Sequence, residues 1–337
     1  MAGSRKLSVT YFYREPRDTG QSIEGIFSLV KSCLKDRMEI KDFFCSAGQS
    51  RMTNIKNARK YSSEINHITG DVNFLALGLR GKNNVLTIHD FGFYENPVHS
   101  KLVKFVYRLF WFYLPLKYVD RVTVVSEFTK SKLLQYFKFP EAKVRVIPNP
   151  VKPVFVFSEN QKPGNSRILM MGTGKHKNLG TLIEAVKGTT HHIDIIGWPA
   201  ADELDKLARY QISYTVYNKL TDEQVYQRYC ACDLLFNASF YEGFGMPIIE
   251  AQSVGRPVIT SNFGAMKEVG EGSAILVDPY QPSDIRRAIE SLSDNGTYGD
   301  LVAKGRANAS KYDYRKIADQ YFVLYEVLAN EKSVHKK

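Results

Sequence analysis

The stretch LLFNASFYEGFGMPIIEAQSVGRPVITS, residues 234–261, decides the fold. Its apolar run LLFNAS (234–239) predicts a buried strand, MPIIEAQSVG (246–255) predicts a helix, and RPVITS (256–261) predicts a second strand. A strand, a helix and a strand in close succession form a βαβ unit, in which the two strands run parallel in one sheet. The stretch therefore predicts a protein of the α/β class.

The same alternation continues on both sides of this stretch. Outside it, apolar runs predict strands at 6–13, 83–91, 120–126, 143–151, 167–172 and 192–197, and helical periodicity predicts helices at 20–35, 127–137, 178–188 and 221–233. The remaining segments after residue 166, including SDIRRAIESLSD and DYRKIADQYFVLYEVLAN, are predicted to be helical. Residues 149–166, with their Pro, Gly and Asn, predict a linker.

Two α/β sets joined by one linker predict two Rossmann-like domains whose parallel sheets face a central cleft. We place these domains at residues 1–155 and 156–337, and packing of the last helix back onto the first domain is an open alternative. In sheets of this kind, ligands bind at the carboxyl ends of the strands. Residues that directly follow strands are therefore the candidates for a functional site.

The amino-acid composition limits the classes to which the protein can belong. The 337 residues are 44% hydrophobic and 24% charged, which is typical of a globular protein with room for two cores. No uncharged apolar run reaches the roughly 18 residues of a membrane span, and the first residues lack the apolar region of a secretory signal. The spacing of Cys33, Cys45, Cys230 and Cys232 fits neither a zinc site nor a disulfide framework. We expect a reducing, cytoplasmic location.

The net charge of +11 is confined to the first half of the chain. Residues 1–150 carry 24 Lys and Arg against 13 Asp and Glu, whereas residues 151–337 carry 22 of each. Such an asymmetry indicates that the first half faces nucleic acid, a membrane surface or a phosphorylated substrate. A role in solubility alone is the alternative.

One segment of the first half combines cations with aromatic residues. KLVKFVYRLFWFYLPLKYVDR (101–121) holds five Lys or Arg among six aromatic side chains at positions 105–113. A segment of this composition can lie in an anionic membrane interface, with its cations on lipid phosphates. It can equally be a core helix packed under the first sheet. The charge asymmetry favours peripheral attachment on the cytoplasmic face of a membrane.

The loop FYEGFG lies between a strand and a helix, and its residues are the main candidates for ligand binding. Gly243 and Gly245 let the backbone approach a ligand closely, and Pro247 is favoured in the first turn of a helix. Free amides at a helix N-terminus form an anion site. Glu242 and Glu250 flank that site and are suited to accept hydrogen bonds from sugar hydroxyls. Hydroxyls at both ends and a diphosphate between them describe a nucleotide sugar.

Taken together, these residues resemble the retaining glycosyltransferases of the large family GT4, which have the GT-B fold. The resemblance extends over most of the chain and rests on several motifs in the order of that family. These are TIHDFGFYENP, RVTVVSEFTKSKLLQYF, VRVIPNPV, ILMMGTGKHKNLGTLIEAV, the E-x7-E pattern in EGFGMPIIEA, GRPVITS and GSAILVDPYQPSDIRRAIESL. Agreement among several motifs carries more weight than any one of them.

The resemblance implies roles for the residues of the E-x7-E motif. Glu242 takes the position that binds and orients the hydroxyls of the donor sugar, and Glu250 takes the position that binds the ribose hydroxyls. The backbone amides of Phe244, Gly245 and Met246 are expected to contact the sugar and the diphosphate. These five residues are the predicted core of the donor site.

The resemblance assigns further residues outside that motif. Lys177 matches the basic residue that neutralises the departing diphosphate, where a prepositioned cation stabilises the developing charge. His89 matches a histidine near the reacting sugar, and Gly20 matches a glycine-containing loop near the phosphates. For Lys177 the alternative is a surface lysine at a helix start. For His89 it is a polar group with its hydrogen bonds satisfied, and Asp90 beside it could simply cap a turn.

Two positions depart from the family pattern. Thr173 occupies a position where the family often has an arginine that clamps phosphate, so Lys175 substitutes for it or Thr173 contributes only a hydroxyl. Asn218 stands where a glycine is common near the nucleotide base, which leaves the identity of the base open. GTGKHKN is neither a Walker P-loop nor a dinucleotide fingerprint.

The predicted activity is transfer of a hexosyl group from a nucleotide diphosphate sugar to an acceptor hydroxyl, with retention of configuration, in polysaccharide or glycolipid synthesis of the bacterial type. We expect no metal and no cofactor, because no Asp-x-Asp motif is present and Lys177 can serve the diphosphate. The expected partners are the donor and a glycan or lipid-linked acceptor. A nucleotide-sugar epimerase on the same fold is the main alternative. A nucleic-acid-binding protein is a weaker one, because no module that reads nucleic acid is recognisable.

Overall fold

The computed structural model describes residues 6–15, 22–81, 83–159 and 167–334. The chain forms two compact units. Unit 1 comprises Met1–Pro150 and Tyr314–Lys337, and unit 2 comprises Val151–Asp313. Unit 2 therefore begins a few residues before the boundary predicted at 155/156, and the end of the chain belongs to unit 1.

Unit 1 is built on a parallel sheet of six strands in the order β2-β1-β3-β4-β5-β6. The strands are β1 (Leu7–Arg14), β2 (Met38–Cys45), β3 (Ile65–Ile68), β4 (Asn83–Ile88), β5 (Arg121–Val124) and β6 (Val144–Val146). Most side chains of the inner strands are buried, as expected when helices cover both faces of a parallel sheet.

The helices of unit 1 connect these strands. They are α1 (Ser22–Leu34), α2 (Arg51–Lys60), α3 (Gly92–Glu95), α4 (Lys101–Tyr107), α5 (Leu114–Leu116), α6 (Glu127–Tyr136) and α14 (Tyr314–Val334), with 3-10 turns at Asn73–Gly78 and Glu141–Lys143. Ser50 and Ser126 start α2 and α6 by accepting a hydrogen bond from the backbone N–H three residues later.

A buried polar network attaches α14 to the sheet of unit 1. His67 Nδ1 lies 2.6 Å from Tyr325 Oη, and His67 Nε2 lies 2.7 Å from Thr87 Oγ1. Tyr325 Oη also donates to Tyr11 Oη over 3.1 Å. Burial lowers the pKa of His67 to about 3, so the ring is neutral at physiological pH. The network fixes the helix by hydrogen bonds as well as by apolar packing.

Unit 2 repeats the architecture with a second parallel sheet of six strands. Their order is β12-β11-β10-β7-β8-β9. The strands are β7 (Arg167–Met171), β8 (His192–Ile196), β9 (Ser213–Tyr217), β10 (Leu234–Asn237), β11 (Val258–Ser261) and β12 (Ile275–Val277). The βαβ unit predicted from residues 234–261 is confirmed as β10, α10 and β11.

The helices of unit 2 are α7 (Leu179–Val186), α8 (Ala201–Arg209), α9 (Asp222–Ala231), α10 (Met246–Val254), α11 (Gly264–Gly270), α12 (Pro282–Ser291) and α13 (Asn295–Ala309), with 3-10 turns at Lys175–Lys177 and Ser310–Tyr312. Thr221 and Gln224 form a capping box at the start of α9. The apolar faces of α7 and α12 pack with the sheet in one core.

Four strands were not predicted from the sequence. β9 and β12 lie in segments predicted to be helical, and that prediction was wrong. β9 is an edge strand with partly exposed side chains, and the apolar run of β12 is only three residues long, which is too short to distinguish a strand from a helix. β2 is an edge strand that carries charged residues, and β3 contains the buried polar pair Asn66 and His67. Tertiary packing, not local pattern, makes these segments strands.

The segment at 101–121 has two faces. After α4 it continues as a π-helical stretch at Arg108–Tyr113 and then as α5. Phe112 and Leu116 are buried in the core of unit 1, whereas Leu102 and Phe105 are 71% and 63% exposed. The segment therefore packs as a core element along one face and presents apolar side chains along the other. Among the described residues, no helix is long and apolar enough to cross a bilayer.

Candidate active site

The order of the strands in unit 2 reverses between β7 and β10. These strands are neighbours in the sheet, although β8 and β9 lie between them in sequence. The loops that leave their carboxyl ends diverge to opposite sides, and the crevice at such a switch point is where open α/β sheets bind ligands. The loop after β7 contains Lys177, and the loop after β10 contains Glu242. The two predicted groups thus come from the two strands that flank the crevice.

The N-terminus of α10 forms the centre of this crevice. Gly245, with φ +102°, reverses the chain into the helix, and a Cβ there would meet Ile248 Cδ1 at 2.9 Å. Among the described residues, the backbone N–H groups of Phe244, Gly245 and Met246 donate to no acceptor. The Phe244 ring is buried against Tyr312, so this residue can offer a ligand only its backbone. Three free donors at a helix N-terminus make an anion site.

Lys177 and Glu242 form an ion pair, with 2.5 Å between Lys177 Nζ and Glu242 Oε1. Their side chains are only 19% and 16% exposed, so the pair is well shielded from solvent. Ser239, at the end of β10, donates a second hydrogen bond to Glu242 Oε1 over 3.0 Å. Because an ammonium group has three donors, Lys177 can hold Glu242 and still donate to a ligand.

Asn178 fixes the loop that carries Lys177. It adopts φ +70°, and its side-chain amide donates to Ala238 O over 3.0 Å and to Pro279 O over 2.8 Å. This buried amide therefore joins the loops that follow β7, β10 and β12. Neither Asn178 nor Ser239 was predicted as a site residue. The signal available for Asn178 was an Asn directly after KHK, since Asn tolerates left-handed backbone better than most residues.

Glu250 lies in the first turns of α10, and its carboxyl group is buried. Its Oε2 accepts a hydrogen bond from Tyr229 Oη over 2.9 Å. Burial raises the pKa of Glu250, while the Tyr229 hydrogen bond and the charges of Lys152 and Lys177 act to lower it. Among the described residues, Oε1 of Glu250 has no hydrogen-bond donor. This oxygen can accept from a ligand hydroxyl.

Thr173 uses its hydroxyl within the protein. Thr173 Oγ1 donates to Trp198 O over 2.7 Å and accepts from Trp198 N over 2.8 Å. The hydroxyl proton is thereby engaged and not directed at a ligand. Lys175 belongs to the 3-10 turn that ends at Lys177, and its side chain is exposed.

His89 lies in unit 1, directly after β4. Because its Nε2 lies 2.7 Å from the backbone carbonyl of Thr69, which only accepts, Nε2 carries the proton and Nδ1 is the acceptor of the neutral ring. Burial lowers the pKa of His89. Asp90 accepts from Gly92 N–H over 2.7 Å and so caps a turn. The predicted Gly20 lies outside the described residues.

Lys177, Glu242, Glu250 and the α10 amides therefore form one constellation in unit 2. It offers hydroxyl acceptors, free N–H donors and one cation. The described residues contain no group of three or more His, Cys, Asp or Glu that could hold a metal ion. The arrangement can bind an anion flanked by hydroxyl-bearing groups.

Two family models match the chain over adjoining ranges. Residues 152–315 match "Glycosyl transferases group 1", and residues 51–155 match "Glycosyltransferase Family 4". The first range contains the whole constellation described above, and the second contains His89. The matches favour glycosyl transfer over the epimerase and nucleic-acid-binding alternatives.

Similar curated proteins carry related names. The chain is 27% identical over 270 residues to the O-antigen chain mannosyltransferase B of Escherichia coli, covering 72% of this chain and 70% of that protein. It is 23% identical over 240 residues to the O-antigen chain mannosyltransferase RfbU of Salmonella typhimurium, covering 69% and 66%. A shorter match, 33% over 113 residues, covers 33% of this chain and 14% of the E. coli serotype-specific mannosyltransferase WbdA.

Solved structures of low sequence identity share the fold. The Anabaena protein HepE, crystallised with UDP and glucose, has a TM-score of 0.76 at 15% identity and covers 95% of this chain and 100% of its own. The sucrose-phosphate synthase of Thermosynechococcus elongatus has a TM-score of 0.76 at 17% identity, with 96% and 99% covered. Fold, constellation and family matches agree: the chain belongs to glycosyltransferase family 4 and is a sugar-transferring enzyme with the GT-B fold.

Proposed function

We propose that this enzyme transfers a mannosyl residue from a nucleotide diphosphate mannose to a hydroxyl group of a growing bacterial-type polysaccharide or glycolipid. The observation that carries the proposal is the set of free N–H groups at the start of α10, with the Lys177–Glu242 pair on one side and the buried Glu250 on the other. The choice of mannose is supported by the names of the similar O-antigen enzymes.

Each group of the constellation then has one task. Glu242 accepts hydrogen bonds from the sugar hydroxyls, and Glu250 accepts them from the ribose through Oε1. The α10 amides and Lys177 bind the diphosphate. Charge builds up on the leaving phosphate oxygen as the glycosidic bond breaks, and fixed donors placed there stabilise the transition state more than the ground state.

Transfer proceeds with retention, by attack on the same face of the sugar from which the phosphate departs. The bond between the anomeric carbon and the phosphate oxygen breaks, the acceptor oxygen bonds to that carbon, and the leaving phosphate oxygen takes the acceptor's proton. No protein nucleophile is required. His89 of unit 1 has Nδ1 as its hydrogen-bond acceptor, and its role near the reacting sugar stays a prediction.

Lys177 and the α10 amides serve the diphosphate in place of a divalent cation, so we propose that neither a metal nor a cofactor is needed. Release of nucleoside diphosphate should continue at the same rate after dialysis against EDTA. A loss of activity that added Mg²⁺ or Mn²⁺ restores would contradict this part of the proposal.

Incubation with a panel of nucleotide sugars tests the main proposal. GDP-mannose, with UDP-glucose as the comparison, is expected to release nucleoside diphosphate slowly, with water as surrogate acceptor. The variant E242Q should lose this activity, and E290Q, which removes an exposed carboxylate of unit 2, should keep it. Recovery of an epimerised sugar still attached to its nucleotide, or no binding of any nucleotide sugar, would refute the proposal.

We also propose that the exposed face of segment 101–121 attaches the enzyme to an anionic membrane, where a lipid-linked acceptor would be found. Leu102, Phe105 and Tyr113 are exposed apolar or aromatic side chains on this face, and Lys101 and Lys117 are exposed cations. Apolar groups that enter the interface and cations that bind lipid phosphates act together in such attachment.

Flotation with vesicles of phosphatidylglycerol and phosphatidylcholine tests the attachment. The protein should float with the vesicles at low salt and less at high salt. The double variant L102S/F105S should weaken binding. M52S is the matched control, because Met52 is 62% exposed on α2 and outside the segment. No flotation of the parent protein at low salt would refute the attachment.

A further inference from the structure

Trp198 is a large aromatic side chain that the constellation does not use. It is one of two tryptophans in the chain, it lies two residues after the end of β8, and it is 69% exposed. The other, Trp111, packs edge-on against Phe74 in unit 1. An indole exposed to this degree contributes little to the stability of the fold, and at the carboxyl edge of a sheet it is available to contact a ligand.

The backbone of Trp198 is held rigidly. Both its N–H and its carbonyl bond to the hydroxyl of Thr173, at 2.8 and 2.7 Å. The preceding Gly197, with φ +141°, makes room for this contact, because a Cβ there would lie 2.9 Å from Thr173 Oγ1 and Cγ2. Backbone bonds from Gly172 N–H to Ile196 O and from Gly197 N–H to Tyr217 O continue the pairing of β7, β8 and β9 up to this point. An exposed ring on a fixed backbone is a preorganised contact surface.

The backbone of Trp198 is attached to the loop that contains Lys177. Thr173 follows β7 and lies four positions before Lys177 in the same loop. The hydroxyl of Thr173 thus ties the loop of Lys177 to the backbone of Trp198. The indole lies on the β8–β9 side of the crevice, since β8 is the next strand beyond β7 in the sheet.

The order of the strands places Trp198 beside the proposed diphosphate site. The diphosphate is proposed to bind at the start of α10, in the crevice at the carboxyl ends of β10 and β7. β8 lies next to β7 on the side away from β10. A nucleotide that extends from α10 across the end of β7 therefore brings its base to Trp198.

We infer that Trp198 is the stacking platform for the nucleobase of the donor. The inference rests on the proposed function and deepens it, because it assigns the base end of the nucleoside diphosphate to one side chain. Stacking on an indole tolerates any base, since every base has a π-face, and alanine substitution of such a platform lowers affinity by roughly 5- to 100-fold. The contact adds affinity for the nucleotide without choosing between guanine and uracil.

Fluorescence and calorimetry test the platform. In W111F, Trp198 is the only tryptophan, and its emission should be quenched by GDP and by UDP but not by inorganic pyrophosphate. In W198F no quenching is expected, while the dissociation constants for GDP and UDP by calorimetry should stay within about 3-fold of the parent, because phenylalanine still stacks. In W198A both constants should rise by roughly 5- to 100-fold, and the constant for pyrophosphate should not change.

The outcomes separate this inference from the proposed function. If W198A binds GDP and UDP as tightly as the parent, or if quenching in W111F requires the sugar and not the nucleotide, Trp198 is not a base platform and the proposed function stands. If the parent binds no nucleoside diphosphate, the proposed function fails and the platform with it. T173S keeps the hydroxyl and should bind GDP and UDP as tightly as the parent. T173V should bind GDP and UDP more weakly and pyrophosphate as tightly as the parent.

Discussion

Replacing Glu250 with glutamine should make the free enzyme more stable and its nucleotide binding weaker. In the folded protein the carboxylate is buried, and it has one neutral donor, Tyr229 Oη, among the described residues. Burial is the largest influence on its pKa and raises it. An ionised group in this setting costs free energy of folding at neutral pH. The side-chain amide of E250Q has nearly the same shape as the carboxylate and keeps an oxygen that can accept from Tyr229 Oη, but it carries no charge.

The magnitudes follow from these contacts. Removing the charge should stabilise unit 2 by on the order of 1 kcal/mol, which for a unit of this size raises the midpoint of thermal unfolding by about 2–4 °C. The carboxylate is expected to accept ribose hydroxyls, and hydrogen bonds to a charged group contribute about 1.5–3 kcal/mol. The dissociation constant for GDP should therefore rise roughly 10- to 100-fold.

Thermal unfolding between about pH 7.5 and pH 4.5, with calorimetric titration of GDP, measures both effects. Because the folded-state pKa of Glu250 is raised, the parent loses stability as the pH rises above the unfolded value of about 4.3. The increase in the free energy of unfolding of E250Q over the parent should be largest at neutral pH and should shrink as the pH falls towards the unfolded-state pKa. E290Q controls for the loss of one carboxylate from the surface of unit 2. An E250Q protein that unfolds earlier than the parent at neutral pH and binds GDP normally would refute the reasoning.

Three further changes probe the groups around the carboxylates. Y229F removes a hydrogen bond that lowers the pKa of Glu250, so the acidic limb of the plot of GDP affinity against pH should move to higher pH; a limb at the same pH as in the parent, measured by calorimetry, would show that this bond does not set the pKa. S239A removes one donor to Glu242 and should slow release of nucleoside diphosphate from GDP-mannose about 10-fold, with GDP affinity unchanged; unaltered turnover would mean that Lys177 alone orients this carboxylate. K177M should lower the same turnover by about 10²–10³-fold, and steady-state rates within a few-fold of the parent would remove Lys177 from the mechanism.

The fold was predictable where local pattern and tertiary role agree. β10, α10 and β11 combine apolar strands, a proline in the first helical turn and a glycine at the helix end, and all of them point to one βαβ unit. The failures are segments whose structure depends on their neighbours. His67 in β3 is tolerated inside a sheet because Thr87 and Tyr325 satisfy its two ring nitrogens, and Tyr325 lies more than 250 residues later. No window of sequence contains that information.

The sequence predicted which residue types lie in the candidate site, but it did not predict their contacts. The E-x7-E spacing and the glycines point to Glu242, Glu250 and the α10 amides, because those features lie within one short stretch, and their roles in binding stay predictions. The contacts of Ser239, Asn178 and Tyr229 depend on how three loops and a helix meet. Thr173 shows the limit most clearly, because its hydroxyl bonds to the backbone of a residue 25 positions away, and no local pattern places the two residues side by side.

The two carboxylates of the motif have opposite electrostatic settings, and this difference fits their two tasks. Glu242 is neutralised by Lys177 in the free enzyme, so neither charge stands alone in a shielded crevice. Glu250 accepts a hydrogen bond from the neutral hydroxyl of Tyr229, which does not offset the free-energy cost of burying its charge. A ligand that donates to Glu250 would reduce this cost. Under the proposed function, a ribose hydroxyl that donates to Glu250 would offset this desolvation cost, whereas a sugar bound at Glu242 would share Lys177 with the diphosphate. Because one ammonium group would then donate to both, we expect departure of the diphosphate to be coupled to binding of the sugar.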